Sequence, residues 1–117
     1  MAPPTALKDV QAITFDCYGT LIDWEGGAKQ TLRELLARYE VSADEEAFFR
    51  TWERAQWVRI HQSYARYRDI VAETFLEVAR RYGLPCTEAD AAAFAAAIAH
   101  WPPFPEVPEA LARLKQH

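Results

Sequence analysis

An α/β fold with a parallel sheet is what this sequence predicts, and three observations predict it. A short, apolar, β-leaning run, AITFD at residues 12–16, ends in an aspartate. Amphipathic helical segments follow it with no second convincing strand between them. A proline-rich stretch, PPFPEVP at residues 102–108, then leads into a last amphipathic helix of the kind that feeds the next strand of a βαβ unit.

The elements can be justified in order. Residues 1–10 read as a loose tail, because two prolines and one lysine interrupt any apolar run. The run at 12–16 is nearly continuous rather than alternating, as in a parallel strand buried on both faces. YGTLIDWEGG, with three glycines, reads as a loop. Ala28, Leu32, Leu35, Leu36 and Tyr39 form the apolar stripe of a first helix. Ser42 with Glu45 predicts a capping box for a second, which carries Phe48, Trp52 and Ala55 on one face. A third helix is expected from about Tyr64, with Tyr64, Tyr67, Val71, Val78 and Tyr82 spaced close to a heptad. Arg80, Arg81, Gly83 and Pro85 supply its stop signals. Thr87 with Asp90 starts a fourth, with Phe94, Ile98 and Trp101 on one side. Pro108 suits the first turn of the last helix.

A lone strand of the buried type cannot satisfy its own ladder groups. The sequence is therefore expected to be the N-terminal piece of a longer α/β protein. Its expected parts are a first core strand and loop at 11–24, a helical region at 25–101, and a linker with a return helix at 102–117.

Composition narrows the function. Thirteen basic and seventeen acidic residues give a net charge of −4, without the basic footprint that a nucleic-acid or anionic-membrane partner needs. No apolar run approaches the roughly 20 residues of a membrane span. Cys17 and Cys86 stand in no metal or redox spacing and read as free thiols of a cytoplasmic protein. His61, His100 and His117 are scattered, so no metal site is expected from them.

The chemistry concentrates in FDCYGTLID, residues 15–23. A carboxylate at the C-terminal end of a parallel strand sits where open α/β sheets bind ligands. Gly19 lets the following loop turn tightly and present backbone N–H groups. Asp16 is then either a nucleophile or a plain cap on the strand end.

FDCYGTLID resembles the first motif of the haloacid dehalogenase superfamily, and PFPEVPEALARLK at 103–115 is similar to its return from cap to core. The resemblance implies a Rossmann-type core with a helical cap inserted after the first strand. It makes Asp16 the nucleophile and Thr20 the motif threonine that holds loop and nucleophile. Cys17, Tyr18 and Gly19 become substrate-side residues of the loop. Asp23 matches the trailing aspartate of the motif, and also suits an N-cap of the first helix.

Phosphatases of the superfamily carry a second Asp two residues after the nucleophile, to protonate the leaving group. Tyr18 occupies that place here. An alkoxide needs that proton and a halide does not, so the motif resembles the L-2-haloacid dehalogenase branch. That branch implies attack of Asp16 on C2 of a 2-haloalkanoate, departure of halide with inversion, and hydrolysis of the aspartyl ester by water. It implies a small-organic-acid substrate, no cofactor, and room for a homodimer of the full-length protein. Mg²⁺ would belong only to a phosphatase-type alternative.

The branch also places an arginine directly after a cap tryptophan, to meet the departing halide. Here TWERAQW puts Glu53 after Trp52 and Arg54 one residue later, a step that turns a side chain by about 100° on a helix. Arg54 is the candidate for that role, with a solvated cation on the helix face as the other reading. A helical binding module without catalysis is the alternative from another functional class.

Overall fold

The computed structural model describes residues 9–117. The expected tail at 1–10 thus falls outside the described residues except for its last two positions. Five α-helices are described: α1 (Trp24–Arg38), α2 (Glu45–Ile60), α3 (Tyr67–Arg81), α4 (Glu88–Ala97) and α5 (Val107–Lys115). A 3₁₀ turn, Ile98–His100, extends α4. The chain divides into two compact units. Among the described residues, one comprises 9–23 and 102–117, the other Trp24–Trp101.

The larger unit packs α1 to α4 around an aromatic core. Phe48, Trp52, Phe75, Val71 and Val78 are at most 1% exposed. The rings of Phe75 and Phe94 stack with centroids 4.1 Å apart, and Trp52 meets Phe94 edge-on at 5.1 Å. Such pairs add about 1 kcal/mol each to the burial of their surface. Trp52 also donates from Nε1 to the Thr74 hydroxyl at 3.1 Å, and that hydroxyl donates to the Ile70 carbonyl at 2.6 Å. The one polar atom of this buried indole is thereby satisfied.

The helix ends show which local signals operate. After α3, Gly83 takes φ +69°. Its N–H bonds to the Arg80 carbonyl, and that of Leu84 to the Ala79 carbonyl. This is the Schellman arrangement that the glycine predicts. α1 ends the same way with Glu40 at φ 55°, where the sequence offers no glycine to signal it. At α4 the expected capping box is present, Thr87 and Asp90 bonding reciprocally. At α2 the expectation fails. The cap is Asp44, whose carboxylate accepts from the Ala47 N–H at 3.0 Å, and not Ser42. That frame puts Glu45 and Glu46 in the first turn, where they favour the helix dipole and pair with Arg33 and Lys29.

α3 starts at Tyr67 rather than Tyr64, and Tyr64 is 93% exposed. The apparent heptad ran one turn too far, because Arg66 is the extended residue before the helix. On α2, Phe49 and Gln56 join Phe48 and Trp52 in the buried stripe, while Ala55 is half-buried.

Two buried contacts in this unit carry predictions. Gly27 lies against Trp101, and an added Cβ would sit 2.4 Å from the indole Cγ. Gly27→Ala should therefore destabilise the unit by about 2 kcal/mol in denaturant titration, through overpacking. Helix propensity alone would make the same change stabilising by about 1 kcal/mol, so the sign of the shift decides between the two effects.

Asp90, 8% exposed, accepts from the Tyr39 hydroxyl, the Arg38 guanidinium, and the Thr87 N–H and hydroxyl. The Tyr39 hydroxyl first, then the Thr87 N–H, hold its carboxyl below the usual carboxylate range against the opposing effect of burial. Its contribution to stability is complete above the ordinary aspartate value of about 4. It is lost as pH falls through the lower value of the folded state. Helicity followed by circular dichroism should drop in that acid window, and Asp90→Asn should flatten this part of the profile. An unchanged acid limb in the variant would remove Asp90 from the account.

The smaller unit holds the loop of interest. Residues 12–16, expected as the first core strand, form no ladder, because no neighbouring strand stands beside them among the described residues. Ile13 and Phe15 remain 50% and 45% exposed. They line a shallow groove with Leu111 and Leu114 of α5. The backbone pairs instead through two isolated bridges, Tyr18 with Ile22 and Ile22 with Pro103. Around the second, Asp23 N–H bonds to the Pro102 carbonyl at 3.0 Å and Phe104 N–H to the Leu21 carbonyl at 3.1 Å. These two bonds clasp residues 21–23 to residues 102–104.

Candidate active site

Asp16, Cys17, Tyr18, Gly19 and Thr20 lie on one tight loop of the smaller unit. The Cys17 carbonyl accepts from three successive N–H groups, those of Thr20 at 3.2 Å, Leu21 at 2.8 Å and Ile22 at 3.1 Å. The Gly19 N–H closes the loop on the Ile22 carbonyl at 2.9 Å. This winding requires φ 83° at Gly19, a conformation that strains a residue with a Cβ.

The loop folds Thr20 back onto Asp16. Thr20 Oγ1 donates to Asp16 Oδ2 at 2.7 Å, within the range of a charge-assisted hydrogen bond. Asp16 Oδ1 takes no hydrogen bond from the described residues. One carboxylate oxygen is thus held while the other keeps its lone pairs, on an exposed side chain. Cys17 is an exposed free thiol, and Tyr18 is 43% exposed. Asp23 stands immediately before α1, in the position of an N-cap.

Arg54 lies on α2, in the larger unit, and Asp16 in the smaller one. Arg54 is exposed and makes no ion pair among the described residues. Glu53 is engaged by Arg50 at 3.3 Å, and Arg50 also reaches Glu25 and Glu46. Trp52 points into the core, so the Trp52-Glu53-Arg54 sequence divides between the interior and an open groove. That groove has a volume of about 490 Å³, and Glu53, Arg54, Gln56, Trp57 and Tyr67 are among its lining residues. Gln56 escaped sequence reasoning; its only signal was a polar residue one turn beyond Trp52 in an apolar stripe.

Among the described residues, no three His, Cys, Asp or Glu side chains lie close enough to share a metal ion. No described helix is long and apolar enough to cross a membrane.

A carboxylate on a glycine-turned loop is thus followed by a helical unit whose flanking residues are clasped together by backbone hydrogen bonds. The family model of haloacid dehalogenase-like hydrolases matches residues 10–117. The chain belongs to that family. Its fold is similar to that of a crystallised defluorinating L-2-haloacid dehalogenase, with a TM-score of 0.75 at 22% identity. The likeness covers 87% of this chain and 45% of that one, so the chain spans less than half of that structure's length. The comparison with curated proteins gave no match.

Proposed function

We propose that the chain carries the nucleophile loop and cap of a cytoplasmic hydrolase that works through an aspartyl ester, with 2-haloalkanoates as substrates. Asp16 Oδ1 attacks C2 of the substrate, and the carbon–halogen bond breaks with its electron pair leaving on the halide. Water then adds to the ester carbonyl, the Asp16–substrate bond is hydrolysed, and a 2-hydroxy acid and a proton are released. Thr20 holds Oδ2 and so aims the other oxygen. Cys17, Tyr18 and Gly19 form the wall of the site nearest the nucleophile. Arg54 supplies the cation that meets the departing halide, and residues 25–101 act as the cap.

The observation that carries this reading is Tyr18, which stands where a phosphatase needs a second carboxylate. No step calls for a metal or cofactor. Catalysis in this reading also needs groups that the loop does not itself supply, so the 117 residues alone are expected to be inactive.

The test compares halide release from L-2-chloropropionate with phosphate release from an aryl phosphate. It is run on the chain and on any longer protein that contains it. Halide release unaffected by chelator is the expected result in the longer protein. Phosphate release that disappears with chelator would select the phosphatase-type reading instead.

A further inference from the structure

Residues 102–105, PPFP, include three prolines, and proline has no backbone N–H. Phe104 therefore carries the only main-chain donor in that stretch. The donor is directed at the loop that bears Asp16: Phe104 N–H bonds to the Leu21 carbonyl at 3.1 Å. The prolines also stiffen the stretch, because each fixes its own φ and restricts the residue before it. A stiff segment with one donor sets a register rather than offering a general edge for pairing.

The loop that it meets is layered. Ile22 is bridged to Tyr18 on one side and to Pro103 on the other. Its N–H bonds to the Cys17 carbonyl at 3.1 Å, and its own carbonyl accepts from Gly19 at 2.9 Å. Both neighbours of Ile22 are tied to the returning segment, Leu21 to Phe104 and Asp23 to Pro102. Leu21 directly follows Thr20, whose hydroxyl donates to Asp16 Oδ2 at 2.7 Å. All of these residues belong to the smaller unit. We propose that Phe104 is a positioning residue for the nucleophile. Its N–H fixes the Leu21 peptide, and with it the Thr20 side chain that aims Asp16. This role rests on Asp16 being the nucleophile, whereas the contact itself can be tested without turnover.

Phe104→Pro removes the donor, and Phe104→Ala removes the ring but keeps the donor. Amide hydrogen exchange of the full chain is measured first. The Gly19 and Ile22 amides should exchange about fivefold faster in Phe104→Pro than in Phe104→Ala, the net effect of one hydrogen bond. Amides of α2 and α3 should be the same in both. Halide release is then measured in a longer protein that contains the chain. Phe104→Pro should lower kcat about tenfold or more with KM within about twofold, as misplacement of a reacting group does. Phe104→Ala should keep both constants within about twofold. If Phe104→Pro loses its helical circular dichroism, the unsubstituted chain in low denaturant serves instead. There the Phe104, Gly19 and Ile22 amides should open together as one unit. Equal exchange of Gly19 and Ile22 in the two variants, a kcat loss shared by Phe104→Ala, or Phe104 opening while Gly19 and Ile22 stay protected would each overturn the proposal. No halide release from the unsubstituted protein, with exchange as expected, would overturn the dehalogenase reading while supporting the hold of Phe104 on the loop.

Discussion

Asp16→Asn is expected to abolish turnover in the protein that carries the complete site, by a factor of about 10⁴ or more. Losing a covalent nucleophile removes the whole two-step route rather than one stabilising contact. The amide keeps the shape of the side chain and still accepts from Thr20, so the fold should not change. A single turnover in ¹⁸O-labelled water should place label in the Asp16 carboxylate of that protein without the substitution, because water attacks the ester carbonyl. Label confined to the product, together with full activity of Asp16→Asn, would establish direct attack by water and remove Asp16 from the covalent role.

Trp52→Ala should cost about 4 kcal/mol in the stability of the helical unit, at the upper range of single core truncations. Three aromatic neighbours, Trp24, Phe49 and Phe94, lose a partner at once. The Thr74 hydroxyl loses its donor but keeps its bond to the Ile70 carbonyl, so no new unsatisfied donor adds to the loss. Trp52→Phe keeps a ring and forfeits the indole N–H and part of the volume, and should cost about half as much. Against a total stability of about 5–15 kcal/mol for a typical domain, the alanine variant should melt well below the wild type. A loss under about 1 kcal/mol would show that the aromatic core relaxes around the vacancy.

What the sequence revealed about this molecule was mostly local. The α1 stripe, the Gly83 stop and the Thr87–Asp90 cap depend on residues within a turn or two, and each takes its expected form. Local signals also compete: Ser42 and Asp44 are both good caps, and the choice of Asp44 follows from where Glu45 and Glu46 meet Arg33 and Lys29 on another helix. Tyr64 fitted the period of α3 but lies beyond its first turn.

Contacts distant along the chain left no trace in the pattern. Asp90 meets Arg38 and Tyr39 some fifty residues away, and nothing near Gly27 announces Trp101. The segment 12–16 has strand composition, yet composition cannot create the neighbour that a ladder requires. At the candidate site, Asp16, Gly19 and Thr20 were legible because one loop holds them all. Gln56 was not, because its meaning depends on Tyr67 and on what surrounds its amide.

The clasp of residues 21–23 on residues 102–104 has a further consequence. It joins the two points at which the chain leaves for the helices and returns from them, using backbone hydrogen bonds alone. The entropy of bringing those points together grows only with the logarithm of the intervening length. The clasp also draws on no side chain of the intervening helices. The helical segment is therefore a cassette in evolutionary terms. It can be lengthened, shortened or exchanged for another fold whose ends lie equally close, with the Asp16 loop left as it is. The inserted segment and the Asp16 loop can then vary under separate selection.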